Sequence, residues 1–379
     1  MANFEEALRV VLENQGALPG PEQSSPDERS SGQFALCSDC FHDHGLRLDS
    51  ARMGILDGSP CSKCGSTAGG KLTRELVGAL AYRFFVWGTM RRHDYGAAPK
   101  VQFNSVQSTS ISTSPWLEAD LRLIEKAINV GFFRYGPRMW MVGMVEPLKA
   151  LQDPVTRPAI LQRIVTEYPA LLFPEHETFY RLRKNPANPN AFDEYDAPPI
   201  AGAGTGRLDS EGFPVLYGSQ DLQVCVHECR VTAEDEIYMA TLAPTKALRL
   251  LDLTELLNED RVTEFESLDL AVHMLFLTGK HSYEISRKIV LAAHAAGYDG
   301  LVYPSYFSLL RTGAMPFETA YGISHRLLPE LKDRERAKII PNLAIFGRPI
   351  ENGLVGVECI NRVVLSRVEY GFQFGPVGY

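Results

Sequence analysis

The sequence predicts an α+β fold behind a cysteine-bearing, helical N-terminal half, and three observations lead there. Beyond residue 176 the runs EIYMATL, LRLLDL, DGLVYPS and NLAIFG are short, rich in β-favouring residues, and bounded by Gly, Pro, Asp or Asn. One clear helical segment, SYEISRKIVLAAHAAG, interrupts them, with Ser282 at a cap position and Gly297 at a stop position. Strands and few helices in irregular order fit an α+β domain better than a regular parallel α/β one. Upstream the texture differs: apolar residues recur at helical spacing, and four of the seven cysteines sit in two close pairs.

Residues 1–14 read as a short N-terminal helix. The segment after it, QGALPGPEQSSPDERSSGQ, is too rich in Pro, Ser, Gly and charge to bury anything and reads as a connector. In KLTRELVGALAYRFF, Leu72, Leu76, Leu80 and Phe84 repeat at helical spacing. STSPWLEADLRLIEKAIN predicts a further helix up to Gly131, with Ser114 as cap, Pro115 in the first turn, and Leu117, Leu121, Ile124 and Ile128 on one face. Another helical stretch is expected around 147–166. Pro, Asn and charge then accumulate in PALLFPEHETFYRLRKNPANPN, which places the main boundary near 168–176. The expected division is 1–36 as helix and connector, 37–70 as a cysteine module, 71–168 as a helical domain and 169–379 as the α+β domain.

Length and composition narrow the function. A chain of 379 residues with 45% hydrophobic content carries two or three domains with at least one substantial core. Lys and Arg number 38 against 46 Asp and Glu, a formal charge of −8 with no long basic run, which argues against non-specific nucleic-acid binding. MANFEEALRVVLEN is acidic and mixed, and no stretch of about 18 apolar residues occurs. Neither a secretory signal nor a membrane span is expected, and a cytoplasmic location is. Cys225, Cys229 and Cys359 lie in apolar stretches rather than in a disulfide framework.

Cys37-x2-Cys40 and Cys61-x2-Cys64 have the spacing of two zinc knuckles that together supply four thiolates to one Zn2+. Each knuckle puts two sulfurs on one tight turn, and Gly65 permits the second. His42 and His44 are near, but a complete set of four sulfurs leaves them as bystanders. A closed tetrahedral site holds no water, so its expected role is to fold a polar segment.

The chemically interesting residues cluster after residue 178: Arg181 and Arg183 in FYRLR, Arg207 and Tyr217 in GTGRLDSEGFPVLYGS, Glu228 in VCVHECRV, and Ser305 in YPS. Two guanidinium groups clamp a diphosphate through charge-assisted bonds, and a Tyr ring offers a stacking face to a flat heterocycle. A carboxylate such as Glu228 accepts a ribose hydroxyl or stabilises a sugar cation. Cys225 and Cys229 with adjacent His227 could suggest a thiol nucleophile, but their helical spacing points them to a buried face. AGAGTG at 201–206 lacks the preceding strand and the following Lys of a phosphate-cradling loop.

In their order these residues resemble the RES domain family, named for its Arg, Glu and Ser, over residues 176 to 375. That family has an early Tyr-Arg, a Gly-Arg turn of the type GGRWN, a strand with a Tyr, a helix carrying the Glu, and a later Pro-Ser near an Asn-bearing strand. This chain offers Tyr180-Arg181, Gly206-Arg207, Leu216-Tyr217, Glu228, Pro304-Ser305 and Asn342-Leu343. The segment to about residue 165 resembles the zinc-bearing, HEPN-like extension found before some RES domains. The Arg and His pair of a ribonuclease HEPN domain is not evident, since Arg91-Arg92-His93 has the wrong spacing.

The resemblance implies an ADP-ribosyltransferase-like fold and an enzyme that consumes NAD+ by cleaving its nicotinamide–ribose bond, as glycohydrolase or phosphorylase. It also implies a growth-arresting toxin with an antitoxin or regulatory protein as partner. Arg181 and Arg207 would hold phosphates or ribose, Tyr217 would stack on the nicotinamide side, Glu228 would be catalytic with Arg207 beside it, and Ser305 would bond within the pocket. Leu208 and Asp209 replace the Trp and Asn of the family's turn, and a negative Asp209 beside a phosphate is unfavourable unless it points away. Transfer of ADP-ribose to a macromolecule and an inactive NAD-sensing module are the rival readings, and the oligomeric state is left open. Glu211, Asp209 and Glu234 are the next carboxylates along the segment.

Overall fold

The computed structural model describes residues 34–320 and 322–379. The expected N-terminal helix and the connector up to residue 33 lie outside the described residues. Leu72, expected within a helix, instead lies in the short strand Lys71–Leu72, which pairs antiparallel with Leu36–Cys37. The reason is the next residue: Thr73 is the N-cap, its hydroxyl accepting from Leu76 N at 3.3 Å, so the helix begins at Arg74. It runs to Ala81 and continues as a wider turn over Tyr82–Val86. The helix Pro115–Ile128 has Pro in its first turn and ends where Asn129 turns left-handed at φ 56°. Ser114 occupies its cap position without a side-chain cap bond. The stretch at 147–166 is two helices, Glu146–Gln152 and Arg157–Glu167, parted at Asp153 and Pro154.

The cysteine module and the helices after it share one core, in which Leu36, Phe41 and Leu46 meet Leu80, Phe85, Ile124 and Phe132. A buried carboxylate fastens them, since Asp120 of the Pro115–Ile128 helix accepts from His42 N at 2.9 Å and Asp43 N at 2.6 Å. Residues 139–168 pack elsewhere. Trp140, Leu148, Ile164 and Tyr168 belong to a second core with Leu268, Phe276 and Ile289, beneath the main sheet. The segment 71–168 is thus divided between two cores.

That sheet has eight strands: β1 (Ala170–Phe173), β2 (Phe179–Lys184), β3 (Val215–Ser219), β4 (Ile237–Pro244), β5 (Leu248–Asp252), β6 (Gly300–Pro304), β7 (Pro341–Phe346) and β8 (Val355–Val363). Their order is β8-β4-β2-β3-β7-β6-β5-β1. Only β5 and β6 run parallel, and the crossover between them carries the helices Leu268–Phe276 and Tyr283–Ala295, as a parallel pair requires. Strand alternation sorts the side chains: Leu251, Leu301, Ala344 and Phe346 face the helices, and Leu250, Val302, Leu343 and Ile345 face a third core with Phe179 and Leu242. The sheet curls, because Phe173 of edge strand β1 lies edge-on to Phe179 of β2 at 6.1 Å.

After β8 the chain returns to the N-terminal half as an extended strap. Phe374 N donates to buried Asp49 at 3.2 Å, Phe372 O accepts from Arg83, and the Arg52 guanidinium lies 4.9 Å from the Phe372 ring. The strap passes so close that a Cβ on Gly375 would sit 2.6 Å from Gly88 Cα. No helix among the described residues is long and apolar enough to cross a membrane.

Candidate active site

A cavity of about 500 Å3 opens between β2, β3, the helix Leu222–Glu228 and the turns at 205–207 and 278–283. Arg181, Arg207, Tyr217 and Glu228 all line it, together with Asn342. Asp221 caps the short helix by accepting from Val224 N at 2.9 Å, and Glu228 is its last residue. Two side chains then fix one carboxylate oxygen. Ser305 Oγ donates to Glu228 Oε1 at 2.6 Å and Asn342 Nδ2 donates to the same atom at 2.7 Å. Oε2 has no partner among the described residues. Ser305 is fully buried, with its amide donating to Ile340 O at 2.9 Å and its Oγ accepting from Phe307 N at 3.1 Å. Asn342 lies on β7, in register with Ser219 of β3 and Tyr303 of β6. Ser305 therefore acts behind the carboxylate that it holds.

The arginines are held more firmly than their sequence setting suggested. Arg181 is buried on β2, and its Nη1 and Nη2 donate to Tyr217 O at 2.7 Å and Asp196 O at 2.9 Å, while its buried Nε has no partner among the described residues. Burial, reinforced by neighbouring Arg183, pushes the guanidinium down to about 9, still cationic at neutral pH. Arg183 donates to Glu194 O and Asp196 O. Arg207 donates to Thr278 O at 2.6 Å and Leu275 O at 3.3 Å, so it satisfies carbonyls at the end of the helix Leu268–Phe276. Its guanidinium also stacks over Tyr283 at 4.8 Å.

Asp209 resolves the question its charge raised. It is buried, and its Oδ2 accepts from Gly204 N at 2.5 Å and Thr205 N at 3.0 Å, while Oδ1 accepts from the Tyr217 hydroxyl at 2.8 Å. Tyr217 Oη in turn accepts from Leu208 N and Asp209 N. The backbone amides that a phosphate-cradling loop would offer are thus spent on Asp209 within the turn. Burial would raise the carboxyl's pKa, but the hydrogen bonds from Tyr217, Gly204 and Gly206 overcome it and lower it. Tyr217 is pushed well up by burial and by Asp209, so its phenol stays neutral. Arg287 closes the same turn by donating to Gly204 O and Gly206 O.

Cys225 is buried and Cys229 half-buried, their thiols donating to Tyr180 O and Leu182 O. Burial raises the Cys225 thiol to about 12, and burial raises Cys229 too, so neither is poised as a nucleophile. His227 stacks on Phe307 with ring centroids 5.7 Å apart. Sequence reasoning missed the cavity residues Lys280, Tyr283, Tyr303, Tyr306 and Phe307. Only the helix and strand ends that carry them could have signalled their position.

Two further clusters have ligand-like composition. Cys37, Cys40, Cys61 and Cys64 bring their sulfurs within 4.8 Å of one another, with Cys37–Cys40 at 3.8 Å, Cys37–Cys64 at 3.5 Å and Cys40–Cys61 at 3.7 Å. Four thiolates at about 2.3 Å from one tetrahedral zinc stand about 3.8 Å apart, so this donor set fits the ion. Glu318, His325 and Glu335 also converge, but Lys338 and Arg334 pair with them, so side-chain cations already balance their charge.

Residues 178–317 match the family model described as RES domain. The chain carries a RES domain. The match begins just before Tyr180-Arg181 and ends beyond Ser305, so it spans Arg181, Arg207, Tyr217, Glu228 and Ser305. Among solved structures, the M. tuberculosis MbcT–MbcA toxin–antitoxin complex contains a similar chain, at 16% identity and a TM-score of 0.31. The similarity covers 59% of this chain and 94% of that one. No curated protein matches.

Proposed function

We propose that the RES domain binds NAD+ and breaks its nicotinamide–ribose bond. The observation that carries this reading is Glu228, whose Oε1 is fixed by Ser305 and Asn342 while Oε2 is left to the cavity. As the bond lengthens, its electron pair leaves with nicotinamide, which becomes neutral, and the ribose gains oxocarbenium character. A fixed carboxylate stabilises that charge more in the transition state than in the ground state. Water then gives ADP-ribose, nicotinamide and a proton, whereas phosphate gives ADP-ribose 1-phosphate. In this reading Arg207 and the unpartnered Nε of buried Arg181 serve the phosphates or ribose, and the Tyr217 ring stacks on the nicotinamide side. Depletion of NAD+ would arrest growth of the producing cell, and an antitoxin or regulatory protein would hold the activity in check. The four cysteines would hold a structural Zn2+ that folds the N-terminal module and takes no part in the reaction.

The test is incubation of the full chain with NAD+, with and without phosphate, while nicotinamide and the ADP-ribose product are followed. Free ADP-ribose or its 1-phosphate supports the reading and separates hydrolysis from phosphorolysis. Label appearing on macromolecules in cell extract would make the protein a transferase, and unchanged NAD+ would overturn cleavage altogether.

A further inference from the structure

Arg91-Arg92-His93 has the wrong spacing for nuclease chemistry, yet it lies against the RES cavity. Strands Arg91–Arg92 and Ala97–Ala98 form an antiparallel hairpin, closed by His93 N donating to Gly96 O at 3.1 Å. The hairpin is seated hard on the Met139–Val142 turn: Gly96 is left-handed at φ 82°, and a Cβ there would stand 2.2 Å from Met141 O. From that seat two side chains reach two lips of the cavity. Arg92 Nη1 donates to the Tyr306 hydroxyl at 2.5 Å, and its guanidinium lies 5.6 Å from the same ring's centroid. Tyr95 meets His281 edge-on at 5.1 Å, beside the cavity-lining Lys280. Tyr306 is itself cavity wall, and it stands between Ser305, which holds Glu228, and Phe307, whose amide holds Ser305.

We propose that Arg92 is a positioning residue for the substrate, holding the Tyr306 ring in the cavity wall so that a hairpin of the N-terminal half completes the site. This rests on the NAD+ reading above. A hydrogen bond and a cation–π contact to one ring fix both its hydroxyl and its face, and a ring fixed before binding spares the substrate the entropy of ordering it. Because Arg92 reaches Tyr306 and not Glu228, it acts on binding more than on the step that breaks the bond.

The experiment is a double-mutant cycle in the full chain, with Arg92→Ala, Tyr306→Phe and both together. Each single substitution should raise KM for NAD+ about five-fold with kcat within about two-fold, as expected for one exposed contact. The double variant should be no worse than either single one. Arg92→Lys, which can still donate to the hydroxyl, should recover part of the loss. Amide exchange of Phe307 should quicken in Arg92→Ala with or without substrate. If the wild type leaves NAD+ intact while Phe307 exchange still quickens, the tether stands and the NAD+ reading falls. Additive effects of the two substitutions, or unchanged KM and unchanged exchange in Arg92→Ala, overturn the tether.

Discussion

The four-cysteine knot and the RES cavity are both clusters of polar groups in a folded chain, and they are wired in opposite ways. In the knot the four sulfurs converge on one another, with separations of 3.5, 3.7 and 3.8 Å, and only Cys64 is exposed. In the cavity the polar groups are tied down from behind, but Glu228 Oε2 and Arg181 Nε have no partners among the described residues. A closed cluster organises its own segment. A cluster with two unspent groups on a fixed frame is built to meet something else.

Breaking the closed cluster should have the largest effect. Replacing Cys37 and Cys61 with Ser should remove metal-binding free energy on the order of 10 kcal/mol and unfold or aggregate the N-terminal core. Metal analysis of the wild type should return one zinc per chain, and a melting curve unmoved by chelator would show that the knot is not a metal site. Glu228→Gln opens the comparison from the other side. It should cut turnover about a hundred- to a thousand-fold, roughly 3–4 kcal/mol, with the melting temperature and NAD+ affinity almost unchanged. Near-wild-type consumption by that variant would send the search to the other carboxylates of the segment.

Asp209→Asn sits between the two extremes, because Asp209 is internally satisfied like the knot but supports the cavity. Weakening its bonds to Gly204, Thr205 and Tyr217 should cost about 1–3 kcal/mol and raise KM. Its folded pKa is lowered, so its stabilisation is fully present above the unfolded carboxyl value of about 3.9 and is lost as pH falls through the folded value. Unfolding titrations of wild type and variant should therefore converge only in strong acid; a gap that persisted there would assign the loss to packing. The smallest effect is expected for Arg207→Ala, about 1 kcal/mol of stability from the uncapped Leu275 and Thr278 carbonyls, with a raised KM and a smaller change in kcat. A normal KM with a collapsed kcat would instead place Arg207 at the reacting bond.

What could be read in the sequence was local or ordered along the chain. The cysteine pairs announce themselves by spacing alone, and the RES residues by their succession through strand, turn and helix. The α+β character followed from short strand runs that the sheet indeed uses at 237–244, 248–252, 300–304 and 341–346. Leu72 was misread because apolar spacing cannot see that Thr73 captures the Leu76 amide and starts the helix at Arg74. Asp209 looked like an intruder because its donors, three backbone amides and a phenol, leave no mark in side-chain chemistry. Arg92 was beyond reach for a different reason: its partner Tyr306 is 214 residues away, and tertiary packing, of Trp140 and Ile164 under the sheet and of the strap on the N-terminal core, brings the two halves together.

The strap has a consequence for how the molecule comes into being. The hydrogen bond from Phe374 to Asp49 spans 325 residues, and Phe374 packs on the same core as Leu36 and Phe85. During synthesis the first half to emerge must wait, with Asp49 paired only to Arg52 and Arg83 and an apolar flank bare, while the RES sheet is made and folded. Closing so long a loop adds little thermodynamic cost, because that cost grows only with the logarithm of its length, but it comes late. The N-terminal core, though made before the sheet, is finished after it.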